Sequence, residues 1–175
     1  MPIAKHTLVA LVEDKPGVLN QMVSLFRRRG FNIESMAVGS SEISRMSRMT
    51  IVVAGETGIV EQVRKQLDKV VEVVRVVDIT SEEMIARELA LIKVKANAST
   101  RSEILEIVDI FRAKILDVAA DSVVVEVTGD RDKVNSLFDL LRNFGIKEMN
   151  RTGCIATTRG SKASLKQKKG LAPRK

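Results

Sequence analysis

Residues that build metal and redox centres are almost missing from this sequence. Its 175 residues include one cysteine, Cys154, and one histidine, His6. A single thiol cannot close a disulfide within the chain, and zinc or copper sites draw on several Cys and His ligands. The glycine spacing of a phosphate loop or a dinucleotide fingerprint is missing as well. We therefore expect no metal, no redox chemistry and no bound cofactor in this chain.

Long apolar runs and aromatic side chains are also scarce. No stretch approaches the ~20 apolar residues that a membrane-spanning helix needs, and residues 1–6 lack the apolar core of a signal peptide. The chain has five Phe, no Tyr and no Trp. Its 45% of hydrophobic residues nevertheless suffices to bury a core. These features predict a folded cytoplasmic protein without a membrane association.

The net charge of +7 is concentrated at the C-terminus. Seven basic residues and no acidic ones follow residue 158, so the rest of the chain is neutral. Segment 159–175 also has few large apolar side chains and cannot offset its ordering entropy by burial. We predict a mobile basic tail at 159–175 and a folded body without the charge that binds nucleic acid.

The pattern of apolar residues predicts the element order β-α-β-β-α-β over residues 5–79. Strands are predicted at 6–13, 31–38, 46–54 and 71–77. The first helix is expected to end at Gly30, because glycine suits the left-handed position that follows a helix. The apolar faces of the two helices consist of Val18, Leu19, Met22, Leu25 and Phe26 in the first, and Val60, Val63 and Leu67 in the second.

The same order is predicted again over residues 88–158, after a polar connection at 80–87. Its strands are expected at 89–96, 115–118, 123–127 and 146–155. Its helices are marked by Ile104, Ile107, Val108 and Phe111, and by Val134, Leu137, Phe138 and Leu141. The sequence therefore predicts an α+β fold with two ferredoxin-like βαββαβ domains.

The junction between the first strand and the first helix is the strongest candidate for a binding site. It reads Leu11-Val12-Glu13-Asp14-Lys15-Pro16-Gly17-Val18-Leu19. Free backbone N–H groups at a helix start attract a carboxylate, and Gly17 would let a ligand approach the backbone. Asp14 could accept a hydrogen bond from an ammonium group, or it could only cap the helix, with Pro16-Gly17 serving only as a turn. The residues alone leave both interpretations open.

Two further motifs connect this junction to a known family. An acidic or amide residue followed by Pro-Gly-Val-Leu resembles the ACT domain, a regulatory module that binds amino acids. The runs Arg29-Gly30-Phe31-Asn32-Ile33-Glu34-Ser35 and Ser47-Arg48-Met49-Thr50-Ile51 are similar to those of acetolactate synthase small subunits. The similarity continues in Glu88-Leu89-Ala90-Leu91-Ile92-Lys93-Val94 and covers about residues 5–160.

The resemblance implies a regulatory subunit that activates a separate catalytic large subunit and confers feedback inhibition. It implies a homodimer through the ACT domains, with valine, or leucine or isoleucine, bound between the two chains. Thiamine diphosphate, Mg²⁺ and FAD would belong to the catalytic partner. The implied effector-binding residues are Asp14, Lys15, Pro16, Gly17, Val18 and Leu19 of one chain and Asn32 and Ile33 of the other.

The sequence contains no arrangement of residues typical of a catalytic site. Glu82, Glu83, Glu103 and Glu106 have the spacing of a solvated helix face, and His6 has no evident partner. Two alternatives remain. A stand-alone amino-acid sensor would have the same motifs, and an RNA-binding module would have the same element order. The second is disfavoured because the few phenylalanines are needed for cores.

Overall fold

The computed structural model describes residues 4–28, 30–161 and 165. The chain divides into two compact units. Unit 1 extends to Ile85 and includes the chain again from Cys154, whereas unit 2 is Ala86–Gly153. The predicted second domain, in contrast, extended to residue 158. Most of the predicted tail, at 162–164 and 166–175, lies outside the described residues.

Unit 1 is a four-stranded antiparallel sheet with two helices, in the predicted order. Its elements are β1 (Ala4–Glu13), α1 (Val18–Arg28), β2 (Asn32–Ser40), β3 (Met46–Gly55), α2 (Thr57–Leu67) and β4 (Val73–Asp78). The strands lie in the order β2-β3-β1-β4. Strand β1 is therefore hydrogen-bonded on both sides, to β3 and to β4. Strands β2 and β4 form the edges of the sheet.

The core of unit 1 lies between the helices and one face of the sheet. Val18, Met22 and Phe26 of α1 recur every four residues and share one helix face. The predicted stripe of α2 is confirmed, since its three residues are at most 2% exposed. These helices pack against alternate strand residues, which are Leu8, Ala10 and Val12 on β1 and Met49, Ile51 and Val53 on β3.

Gly30 follows the end of α1, as predicted. It adopts a left-handed φ of +70°. Its N–H donates to Arg27 O at 3.1 Å, and Phe31 N donates to Phe26 O at 3.0 Å. These two bonds form a Schellman motif and satisfy carbonyl groups that the end of the helix would leave unpaired.

Strand β2 contains a bulge at Glu34 that changes the face to which its side chains point. Ile33 pairs with Val53 and Ser35 with Val52, so Glu34 is the extra residue. In a regular strand Ile33 and Ser35 would point to the same face. Here Ile33 packs against the core, while Ser35 points to the opposite face of the sheet.

Unit 2 repeats this architecture. Its elements are β5 (Met84–Lys95), which begins in unit 1, α3 (Arg101–Ile110), β6 (Lys114–Val118), β7 (Ser122–Gly129), α4 (Arg131–Arg142) and β8 (Ile146–Arg151). The strand order β6-β7-β5-β8 corresponds to that of unit 1. Its core contains the predicted helix residues Ile104, Val108, Val134, Leu137 and Leu141. No helix among the described residues is long and apolar enough to cross a membrane.

The single strand predicted at 146–155 is wrong, because two short strands occupy that region. Strand β8 ends at Arg151, and β9 (Ile155–Thr158) follows a turn at Gly153. Gly153 has a φ of +80°, which other residues rarely adopt and which interrupts a strand. Strand β9 pairs with β5 and also contacts β3, where Ala156 N lies 3.4 Å from Thr50 Oγ1.

The expectation that His6 has no partner is also wrong. His6 is 4% exposed, and its Nδ1 lies 2.9 Å from Asp78 Oδ2. The two residues are distant in the sequence, but β1 and β4 are neighbouring strands. The other oxygen of Asp78 accepts from Thr80 N at 2.9 Å. His6 is therefore part of a polar cluster that joins β1 to the end of β4.

Gly55 offers a test of the packing in unit 1. A Cβ at this position would overlap Phe31 Cε1 and lie 3.1 Å from Val60 Cγ2. We expect Gly55→Ala to lower the free energy of unfolding by about 1 to 3 kcal/mol, measured by chemical denaturation. Gly58→Ala is the matched control, because Gly58 has open space around it and alanine favours helix by about 0.5 to 1 kcal/mol. Equal denaturation midpoints for the two variants would contradict the packing described here.

Candidate functional site

The β1–α1 junction, residues 14–19, is fixed by backbone hydrogen bonds. Asp14 N donates to Arg45 O at 2.9 Å, and Glu13 N donates to Glu72 O at 2.8 Å. The first bond attaches the junction to the turn between β2 and β3, and the second attaches it to the segment before β4. The main chain where the junction begins is thus held from both sides by backbone hydrogen bonds.

Asp14 is not the N-cap of α1. The helix begins at Val18, and the carbonyl of Gly17 accepts from Gln21 N at 3.0 Å. Gly17 therefore occupies the N-cap position. Asp14 lies three residues earlier with an exposed side chain. The interpretation of Asp14 as a helix cap is wrong, and its carboxylate can face a ligand.

Gly17 gives the junction its open surface. Its φ is +90°, a conformation that residues with a side chain rarely adopt, and nothing lies within 4 Å of the Cβ position. Its neighbour Pro16 has no N–H group. A small ligand can thus approach the backbone at Gly17, and the space around its Cβ position is empty.

The two apolar residues of the junction point in opposite directions. Val18 is 4% exposed and belongs to the core of unit 1, whereas Leu19 is 48% exposed. Of the pair, Leu19 is available to contact a ligand and Val18 fixes the helix on the sheet. The ion pair between Lys15 Nζ and Glu13 Oε2, at 2.5 Å, lies at the surface, with Lys15 64% exposed. Surface pairs of this kind contribute little to stability.

Within one chain, the structure does not bring Asn32 and Ile33 near the junction. Asn32 pairs with Ala54, and Ala54 pairs with Lys5 near the start of β1. The junction follows Glu13, eight residues further along β1, which corresponds to about 26 Å. Asn32 is exposed at the beginning of the edge strand β2, and Ile33 packs against the core of its own chain.

Two residues near the predicted site could not be identified from the sequence. Arg45, whose carbonyl holds Asp14 N, has a φ of +61°. Arginine is not a residue type that indicates such a conformation. Ser35 owes its orientation to the bulge at Glu34, and an irregularity of strand pairing leaves no clear pattern in the sequence.

The corresponding junction of unit 2 is built differently. Asn97 Oδ1 accepts from Ser99 N and from Thr100 N, both at 3.0 Å. The side chain of Asn97 thus satisfies backbone donors in the turn just before α3, which begins at Arg101. At the junction of unit 1, Pro16 and Gly17 have no polar side chain that could serve in this way. A cavity lies beside the unit 2 junction, lined in part by Lys95, Asn97 and Lys147.

Comparison with known proteins gives consistent matches along nearly the whole chain. Residues 8–75 match the model of the AHAS small subunit-like ACT domain, and residues 87–160 match the model of the small subunit of acetolactate synthase. A protein of Archaeoglobus fulgidus that carries the name of an acetolactate synthase small subunit is 56% identical, with 90% of this chain and 99% of the relative covered. The acetolactate synthase small subunit of Mycobacterium leprae is 51% identical, with 89% and 92% covered.

A solved structure shows the same architecture. The crystal structure of the acetolactate synthase small subunit from Thermotoga maritima superimposes with a TM-score of 0.83 at 41% sequence identity. The match covers 91% of this chain and 99% of the other. The similarity therefore includes both units and not only the ACT domain.

The opposite directions of Val18 and Leu19 can be tested by truncation. We expect Val18→Ala to lower the free energy of unfolding by about 1 to 3 kcal/mol, because it removes buried methyl groups. Leu19→Ala should change it by less than about 0.5 kcal/mol, because that side chain is already half in water. Denaturation of both variants measures the difference. Equal losses would show that Leu19 is part of the core and not an exposed contact.

Proposed function

Because the chain belongs to the family of acetolactate synthase small subunits, we propose that it is a non-catalytic regulatory subunit that binds valine and transmits feedback inhibition. Its partner is the catalytic large subunit of acetolactate synthase, which it activates. Leucine or isoleucine could replace valine, since one methylene group changes binding by only about 1 to 3 kcal/mol. The complex would act in the cytoplasm in branched-chain amino acid biosynthesis.

The observation that carries this proposal is the open β1–α1 junction. A free amino acid has a carboxylate, an ammonium group and, in valine, an apolar side chain. At the junction these meet the start of α1, the carboxylate of Asp14 and the exposed side chain of Leu19, respectively. A helix start attracts anions, and a carboxylate attracts an ammonium group. Lys15, Pro16 and Val18 are the other effector-binding residues of the proposed junction site.

The register of the sheet explains how Asn32 and Ile33 of a second copy could complete the site. Strand β2 is an edge strand with one pairing partner, β3, among the described strands. If β2 pairs antiparallel with β2 of a second copy, the beginning of one strand lies beside the end of the other. Asn32 then lies at the end of the sheet where the junction of the second copy lies. Pairing would also satisfy the exposed backbone groups of the edge.

The enzyme's chemistry would remain with the partner. Thiamine diphosphate, Mg²⁺ and FAD are expected in the catalytic large subunit, and this chain would act on it through a conformational equilibrium. Regulatory couplings of this kind amount to about 1 to 3 kcal/mol. The packing of the phenylalanines supports regulation over RNA binding. Phe26 is in one core, and Phe111 and Phe138 pack against the other, so they are not displayed for base stacking.

The proposal predicts that the rate of acetolactate formation depends both on the presence of this chain and on the concentration of valine. Acetolactate formation by the catalytic subunit of the same organism is measured with and without this chain, across a valine titration. We expect the chain to raise the rate and to make it sensitive to valine. Activation without inhibition would leave the partner in place and contradict the effector site. The absence of both effects would contradict the proposed function, and a chain that binds valine but no enzyme would be a stand-alone sensor.

Gly17 tests the location of the effector. In Gly17→Asp a negative charge would face the carboxylate of valine, and we expect the valine concentration for half-inhibition to rise at least about tenfold, since 1.4 kcal/mol corresponds to a factor of ten. Gly17→Asn is the matched control, because it adds the same bulk and the same backbone strain without the charge. A Gly17→Asp variant with the valine sensitivity of the original chain would exclude this site.

A further inference from the structure

We propose that Ser35 is a positioning residue that transmits effector binding from β2 to the segment by which the chain returns from unit 2. This return segment is defined as residues 154–158, which include β9. The inference rests on the proposed function, because it concerns how the same effector site communicates. It goes beyond that function by naming a hydrogen bond, between Cys154 N and Ser35 Oγ, through which the signal passes.

The first step of the argument is the position of Ser35. It lies on β2, the same strand that begins with Asn32 and Ile33, the residues expected to contact the effector of a second copy. Only Glu34, the bulged residue, separates it from Ile33. Bulges are local departures from regular pairing that redirect side chains. If a contact shifts Asn32 or Ile33, the backbone of the bulged residue Glu34 moves next, and Ser35 follows because it is the adjacent residue.

The second step is the contact that Ser35 makes. Its hydroxyl oxygen accepts from Cys154 N at 2.8 Å, across 119 positions of the sequence. The next residues of the return segment lie on β3, where Arg48 Nη2 donates to Ala156 O at 3.4 Å. Ala156 is buried, at 7% exposure. The return segment thus contacts β2 through the bond from Cys154 N to Ser35 Oγ, contacts β3 around Ala156, and pairs with β5 through β9.

The third step is the connection along the chain. Cys154 is the first residue of the return segment, and it follows directly on Gly153, the last residue of unit 2. Gly153 has a φ of +80°, in the range that glycine adopts most readily. A change at Ser35 therefore reaches the point where the chain passes between the units. The bulge at Glu34 makes this hydrogen bond possible. Without the bulge, the side chain of Ser35 would point to the core face of the sheet, where Ile33 lies, and not toward Cys154.

Three variants test the relay. Ser35→Ala removes the acceptor oxygen, Ser35→Thr retains it and suits a strand, and Ser136→Ala changes an exposed serine on α4, away from β2. Each full-length chain is assayed for valine binding by calorimetry and, together with the catalytic subunit, for activation and valine inhibition. We expect Ser35→Ala to bind valine within about twofold of the original chain and to activate normally. Its half-inhibition concentration should rise about 2- to 10-fold, the usual effect of one hydrogen bond.

The outcomes separate the relay from the proposed function. Ser35→Thr should retain inhibition, and Ser136→Ala should leave it unchanged. Unchanged inhibition in Ser35→Ala would overturn the relay, and so would a parallel loss of valine binding, which would make Ser35 part of the pocket. If the original chain itself confers no valine inhibition, the proposed function fails instead.

A measurement on the original chain provides a second test that needs no variant. Hydrogen exchange of the Cys154 amide reports the bond to Ser35 directly, because an amide exchanges only when its hydrogen bond opens. We expect saturating valine to change the exchange rate of this amide about 2- to 10-fold, as for one hydrogen bond. Exchange at Cys154 that is the same with and without valine, in a chain shown to bind valine, would overturn the relay.

Discussion

The pairing of β1 on both of its sides is the constraint on which unit 1 depends. This strand is hydrogen-bonded to β3 along its whole length and to β4 along its second half. Residues 6–12 of this strand are all buried, so both of its faces are covered. Because β1 is fixed so firmly, its last residue determines where the chain turns into α1. The open backbone of Gly17 therefore follows closely on a strand that is hydrogen-bonded on both sides.

The candidate site combines residues of two kinds. Val18 and Ile33 pack against the core of unit 1, so they determine the shape of the site and the stability of the fold together. Asp14, Leu19 and Asn32 are exposed and can vary at little cost to the fold. This separation follows from one strand, one turn and one helix meeting at the same place. A single chain therefore brings together only part of the predicted site, namely residues 14–19, because Asn32 lies at the other end of the sheet.

The parts of the fold that sequence could predict are those set by local periodicity and by glycine. The helix faces of α1 and α2 and the end of α1 at Gly30 follow from spacing and from the left-handed position that glycine favours. Contacts across the sheet have no such local pattern. The pair formed by His6 and Asp78, the bulge at Glu34 and the separate strand β9 depend on which strands become neighbours. The residues of the junction were identifiable because a family motif marks them, whereas Arg45 lies outside the quoted motifs, and Ser35, the last residue of one of them, owes its orientation to strand pairing.

The different junctions of the two units have a consequence for how this chain can evolve. Units 1 and 2 have the same strand order, but in unit 2 the side chain of Asn97 accepts from the backbone N–H groups of Ser99 and Thr100, just before α3. The turn of unit 2 is thus held by a polar side chain, whereas the junction of unit 1 has Pro16 and Gly17, which have no polar side chain. Substitutions at the exposed residues of this junction can therefore change unit 1 without altering the side-chain hydrogen bonds at the junction of unit 2. Because the same fold occurs twice in this polypeptide, one copy can accept substitutions while the other copy keeps its structure.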